Sequence, residues 1–200
     1  MFVKRLVYLA VAIAFSSSGV QAQDHAHGGD TAPYAGFKTR EIKSLSSEDI
    51  AELRRGGGWG LALPAELNGR PGPAHLLELQ KELELSKDQI AAITAAYDDM
   101  RAAAISAGER FIAAEAALSN AFAGPDVSED ILRQLLNETA DARAGLRFVH
   151  LSQHLSTPEL LSSAQIQKYN VLRGYAEDPC ANVPDGHDAD MWRRHNGCVD

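Results

Sequence analysis

From Lys87 to about Ala123, apolar side chains recur at alternating steps of three and four: Ile90, Ile93, Tyr97, Met100, Ala104, Ala107, Phe111, Ala114, Leu118 and Ala121. A strand buries every second residue, so this spacing excludes one. A flat surface helix would drift off a 3.5-residue period, so the pattern predicts a helix with a supercoiled seam. At 1.5 Å per residue it is roughly 55 Å long. Gly124-Pro125-Asp126 ends it. A second helix is predicted from about Val127 to His154, with Leu132, Leu135, Thr139, Ala142, Leu146 and Val149 on the same kind of seam. The short loop makes the two antiparallel neighbours, and their many alanines let the backbones approach closely. No stretch alternates with period two, so the expected fold class is all-α: a long antiparallel helical hairpin with short flanking helices.

The flanks are less regular. A short helix is expected over Ser47 to Arg55, stopped by Gly56-Gly57-Gly58, with Trp59 packed onto the bundle from a flexible linker. Asn68-Gly69-Arg70-Pro71-Gly72-Pro73 is a strong break. A helix from about Ala74 to Glu84 carries Leu76, Leu79 and Leu83 on one face, and one from Ser163 to about Tyr175 turns Ile166, Tyr169 and Leu172 inward. The tail after Pro179 is expected to be irregular.

At the amino end, Lys4 and Arg5 precede an apolar run from Leu6 to Phe15, too short to span a bilayer, followed by small residues ending in Val20-Gln21-Ala22. That is the layout of a secretory signal peptide cleaved after Ala22, and no membrane span is expected after processing. The expected divisions are a signal peptide 1–22, a flexible His-containing segment 23–44, a short helix and Gly/Pro-rich linker 45–73, a helical domain 74–176, and a tail 177–200. In an oxidising compartment, the periplasm or outside the cell, Cys180 and Cys198 are expected to form one disulfide. The rival arrangement, Cys180-x6-His187-x7-His195-x2-Cys198, is not a common zinc pattern. Formal charge is −8; losing the two positive charges of Lys4 and Arg5 makes it −10, which argues against nucleic acid as a partner. Phosphate loops, GxSxG and HExxH are absent from the sequence, so no catalytic role and no required cofactor are expected.

Three hexapeptides share one pattern: Leu45-Ser46-Ser47-Glu48-Asp49-Ile50, Leu85-Ser86-Lys87-Asp88-Gln89-Ile90 and Leu161-Ser162-Ser163-Ala164-Gln165-Ile166. Each reads as a helix start. Serine caps the backbone N–H three residues on, and Gln89 or Gln165 reaches back to the cap's own N–H. Leu before the cap packs on Ile after it.

The second and third copies also resemble the paired L-T-x-x-Q motif of the Spy/CpxP family of bacterial periplasmic proteins, with serine for threonine. The resemblance covers about Ala74 to Tyr175. It implies a hooked or cradle-shaped four-helix fold and a homodimer in the periplasm. For function it implies either of two branches. One is an ATP-independent chaperone or envelope-stress adaptor, acting on unfolded client proteins or a membrane-bound regulator. The other is a CnrX-like or ZraP-like heavy-metal sensor or buffer.

The histidines bear on the second branch. His150 and His154 stand at i and i+4, a spacing at which two imidazoles can share one Zn, Ni, Co or Cu ion; the alternative is two surface rings on a solvated face. Val149-His150-Leu151-Ser152-Gln153-His154 resembles the V-H-x-x-x-M segment of CnrX-like sensors, with His for Met. The hairpin brings Asp98 and Asp99 opposite, and the resemblance implies an acidic ligand there. His75 could reach the same end, though Leu79 stands where those sensors carry a second histidine. After cleavage, Gln23-Asp24-His25 would be a candidate square-planar Cu(II) or Ni(II) site.

Overall fold

The computed structural model describes residues 32–181 and 183–198. The signal-peptide expectation, the segment 23–31 and His25 fall outside the described residues. The chain divides at Ala35, and the helices below belong to the unit that begins at Gly36. Among the described residues the chain is all helical, with no strand.

The helices are α1 (Ser47–Arg54), α2 (Leu63–Glu66), α3 (Pro73–Glu78), α4 (Lys87–Ala121), α5 (Glu129–Ser156), α6 (Ser163–Leu172) and α7 (Ala189–Asn196). A 3-10 turn, Thr157–Leu160, joins α5 to α6. The long pair α4 and α5 packs as an antiparallel hairpin. All ten members of the α4 seam are buried or half-buried, and so are all six of the α5 seam. Full burial on α4 stops at Ile112 and on α5 begins at Leu146. Beyond those points α4 and α5 mainly cover each other, while the Lys43 N–H and the Ser44 hydroxyl still reach Ser119 Oγ (3.4 Å) and Glu115 Oε2 (2.6 Å) on α4.

Two cores lie along the proximal part. One joins Ile42, Leu45, Leu53 and Leu61 to Ala104, Ala107, Phe111, Ile112 and Leu146. The other joins Leu76, Leu83, Leu85, Ile93 and Tyr169. Each buried Leu, Ile or Phe contributes roughly 1.5–3 kcal/mol. The segment expected to be a flexible linker is thus part of the first core. Gly108 explains how it fits. A Cβ there would lie 2.8 Å from the Leu53 carbonyl oxygen, so the glycine lets the end of α1 abut α4 directly. Trp59 takes a left-handed φ of 45°, strained for a non-glycine residue. Four contacts hold it there. Its N–H donates to Glu52 Oε1 (3.0 Å) and its indole N–H to Asp49 Oδ1 (2.8 Å). Its ring lies 5.5 Å from Phe111 and under the Arg143 guanidinium.

Three other boundaries differ from the sequence reading. The helix expected to reach Glu84 stops at Glu78, where Leu79 leaves helical geometry at φ −100°, ψ 17°; turns carry the chain on to Glu84 at φ 50°, and Leu83 and Leu85 on either side of it are both buried. Leu172 is exposed rather than inward. The tail is not irregular throughout: α7 is capped by the Asp188 side chain on Met191 N–H and ended by left-handed Gly197, and Cys180 and Cys198 are joined as a disulfide.

Candidate functional site

The two L-S-x-x-Q motifs meet. Ser86 and Ser162 each accept from the backbone N–H of their own glutamine, and each glutamine Oε1 accepts from its serine's N–H, at 3.0 and 2.9 Å. The same two amides also face each other. Gln89 Nε2 donates to Gln165 Oε1 at 2.9 Å, and Gln165 Nε2 returns a bond to Gln89 Oε1 at 3.1 Å. Each donates once more to the strand of chain before the opposite cap: Gln89 to Leu160 O and Gln165 to Leu83 O. The capping boxes are therefore a bolt tying the start of α4 to the start of α6. Reading the hexapeptides one at a time finds the caps but not the pairing. In the first copy Asp49 fills the box and spends its other oxygen on Trp59.

His150 and His154 share one buried face of α5, 3% and 4% exposed. They are not surface rings. His154 Nδ1–H donates to the Arg70 carbonyl at 2.7 Å. Its ring packs against Gly72, where a Cβ would fall 2.6 Å from Cε1 and Nε2. Pro71 and Pro73 on either side are fully buried. The Asn68-Gly69-Arg70-Pro71-Gly72-Pro73 segment is thus a strap drawn across the end of α5, and His154 is what it fastens to. Asn170 Nδ2 ties the same strap to α6 through Gly69 O. His150 Nε2 is buried without a hydrogen-bond partner. Burial, then the neighbouring His154, pushes its proton affinity down, against a smaller pull from Glu52.

The expected ligand set does not assemble. Among the described residues no three His, Cys, Asp or Glu side chains converge on one point. Asp98 and Asp99 are exposed on α4. His75 sits on α3 with its nitrogens turned to different carboxylates, Nδ1 to Glu78 at 2.8 Å and Nε2 to Glu66 at 3.4 Å, with Arg173 beside it. A ring held between two acids from opposite edges ties α2 to α3 rather than joining the α5 pair. In the tail, His187 stacks edge-on against Trp192, whose indole N–H bonds the Pro179 carbonyl.

The outer side of α5 carries a feature the seam analysis missed. Ala144, Phe148, Leu151 and Leu155 follow one another at steps of four, three and four, opposite the face that holds Leu146 and His150. Phe148 is 69% and Leu155 65% exposed. The signal was present as a second apolar repeat, offset from the first. Nearer the tip, a groove of about 610 Å³ runs between α4 and α5, floored by Ala114, Ala117 and Ala142 and edged by Arg110 and Glu138.

No family model matches the chain, and neither the curated proteins nor the solved structures contain a match to it.

Proposed function

We propose that this chain is a periplasmic stress-response protein of the Spy/CpxP kind, a nucleotide-independent chaperone that holds exposed apolar segments of unfolded client proteins. The observation that carries the reading is the outward seam of α5. Two large apolar side chains, Phe148 and Leu155, stand mostly in water one heptad apart, and covering them is worth roughly 1.5–3 kcal/mol each. A helix with an apolar row on both sides has a partner for only one of them. Exposed apolar rows on a charged surface mark sites of protein interaction. Ile131, Leu136 and Phe122, toward the tip, are exposed as well, though not in the same row. The working form is a homodimer, as the resemblance implies, and no metal ion is needed for client holding.

The test is light scattering of a chemically denatured enzyme diluted into buffer without nucleotide. The processed protein should suppress aggregation near stoichiometric amounts, equally with and without a chelator. The double variant Phe148→Ser/Leu155→Ser should lose several-fold in potency while its circular dichroism and melting temperature hold. Undiminished suppression by that variant would remove the seam from the mechanism. No suppression by the wild type would end the chaperone reading. Suppression lost on chelation would return the argument to a metal-dependent protein.

A further inference from the structure

Toward its tip the hairpin is covered on one side and open on another. Ile42 and Leu45 share a core with Phe111 and Ile112. Beyond it, the Ser44 hydroxyl donates to Glu115 Oε2 and the Lys43 N–H to Ser119 Oγ. Ile112, Glu115 and Ser119, at steps of three and four, mark the covered side of α4. Ala113 and Ala117 face another way and line the groove between α4 and α5, about 610 Å³ and floored by alanines. Ile131 stands seven residues before Glu138, two turns along the same line of α5, and is 46% exposed. Apolar surface therefore runs on from the groove toward the tip.

The edges of the groove carry opposite charges that do not meet. Arg110 stands on the α4 edge, level with Glu138 and Asp141 on the α5 edge. All three are exposed. Among the described residues no ion pair includes any of them. The Arg110 guanidinium reaches Ser106 Oγ at 3.4 Å, and Glu138 accepts from the Gln134 amide. An alanine floor lets a neighbouring helix approach closely. A base on one edge and two acids level with it on the other fit the same pair of edges turned about a two-fold axis.

We propose that this groove is the docking surface for a second copy of the chain. The two hairpins pack side by side with their tips pointing the same way, α4 of each against α5 of the other. Arg110 of each copy then meets Glu138 and Asp141 of the other. The product is a four-helix bundle in which every neighbouring pair of helices runs antiparallel. The charges choose this arrangement over the other two-fold one, with hairpins head to tail and α4 against α4, which would set Arg110 against Arg110. The groove follows roughly 17 Å of α4, a short strip, so association belongs to the weak, micromolar class of interfaces. The inference deepens the homodimer of the proposed function and rests on that part of it. Phe148 and Leu155, nearer the base of the hairpin, stay free for clients.

The experiment is sedimentation velocity of the processed full chain across the micromolar range, beside two charge reversals, Arg110→Glu and Glu138→Arg/Asp141→Arg. Each reversal alone should weaken self-association at least about tenfold. An equimolar mixture of the two should restore it, because each altered edge then faces its opposite. Phe148→Ser/Leu155→Ser should leave association unchanged. All the substituted positions are exposed, and circular dichroism with melting temperature checks that each variant is folded. Arg110→Ala reads the same contact if a reversal does not fold, and it should weaken association. Tighter association of Arg110→Ala would mean α4 packs on α4 and would overturn the arrangement. A dimer indifferent to both reversals, or one lost with Phe148 and Leu155, would overturn the groove and keep the homodimer. A monomer throughout the range would remove both, while client holding still stands or falls by light scattering.

Discussion

Replacing Gln89 by Leu tests whether the two motifs act as one bolt or as two separate helix caps. The wild-type amide accepts from Ser86 N–H and donates to Leu160 O and Gln165 Oε1. If only the cap mattered, the loss would be near 1 kcal/mol or less. The structure adds three cross-links, to Leu160 O, to Gln165 Oε1 and from Gln165 Nε2, at about 0.5–1.5 kcal/mol each. It also adds the cost of leaving Leu160 O and the Gln165 amide, both part-buried, short of partners. Together the single variant should lose about 2–3 kcal/mol. Gln165→Leu should lose a similar amount, since it breaks the same amide pair from the other side. The decisive quantity is the double variant. With both amides gone neither leaves the other unpaired, so it should be less destabilised than the sum of the singles, by about 1 kcal/mol or more. Urea unfolding followed by circular dichroism measures all four proteins. Additivity within about 0.5 kcal/mol would refute the bolt and leave two independent capping boxes.

Gly108→Ala gains helix propensity of about 1 kcal/mol but drives a methyl into the Leu53 carbonyl at 2.8 Å. It should melt at lower temperature than the wild type, and a rise in melting temperature would mean α1 can slide. Gly72→Ala pushes into the His154 ring at 2.6 Å, so it should speed exchange of the strap at neutral pH while leaving 87–121 protected. Cys180→Ser with Cys198→Ser removes the closure of the tail loop, worth about 3 kcal/mol in the unfolded-chain account; α7, too short to persist alone, should lose protection while the hairpin's melting temperature stays put. Calorimetric titration of the processed protein with Zn(II), Ni(II), Co(II) and Cu(II), beside His150→Ala/His154→Ala, checks the pair as ligands. With two buried rings and no third donor converging among the described residues, no micromolar binding that depends on the pair is expected.

What could be read from the sequence was whatever repeats locally. The 3-4 spacing from Ile90 to Ala121 gave the long helix because one face of one element must be apolar whatever covers it, and the structure buries or half-buries every member. The serine caps were legible because a cap bonds within four residues. The features that escaped are those set by what lies opposite. Asn68-Gly69-Arg70-Pro71-Gly72-Pro73 reads as a break, and it is one, but only the ring of His154, 84 residues away, makes it a buried strap. His150 and His154 have the spacing of a ligand pair and equally that of two side chains on a packed face. The choice turns on what packs over them, above all the strap, which pattern alone left as a break in the chain. Gln89 and Gln165 are 76 residues apart, and their mutual bonds follow from the hairpin bringing two helix starts together. The short α7 could have been found, since Asp188 before it and Gly197 after it are ordinary start and stop signals.

The charge of the molecule decides how a client could be held. The full chain stands at −8, while the outward seam of Ala144, Phe148, Leu151 and Leu155 carries no charge at all. Holding by the seam is then an apolar contact inside an acidic surround. Long-range attraction can help only with basic clients and must oppose acidic ones. Salt separates the two contributions, because raising it from about 0.1 M to about 1 M shortens the screening length from about 10 Å to about 3 Å without weakening apolar contact. For an acidic denatured client, aggregation suppression should improve across that range as repulsion fades. For a near-neutral client it should stay level. Phe148→Ser should abolish the benefit for both. If suppression instead falls with salt for every client, charge does the holding. The search would then move from the seam to Arg110, Arg143 and Arg147, the bases that the hairpin carries between its apolar rows.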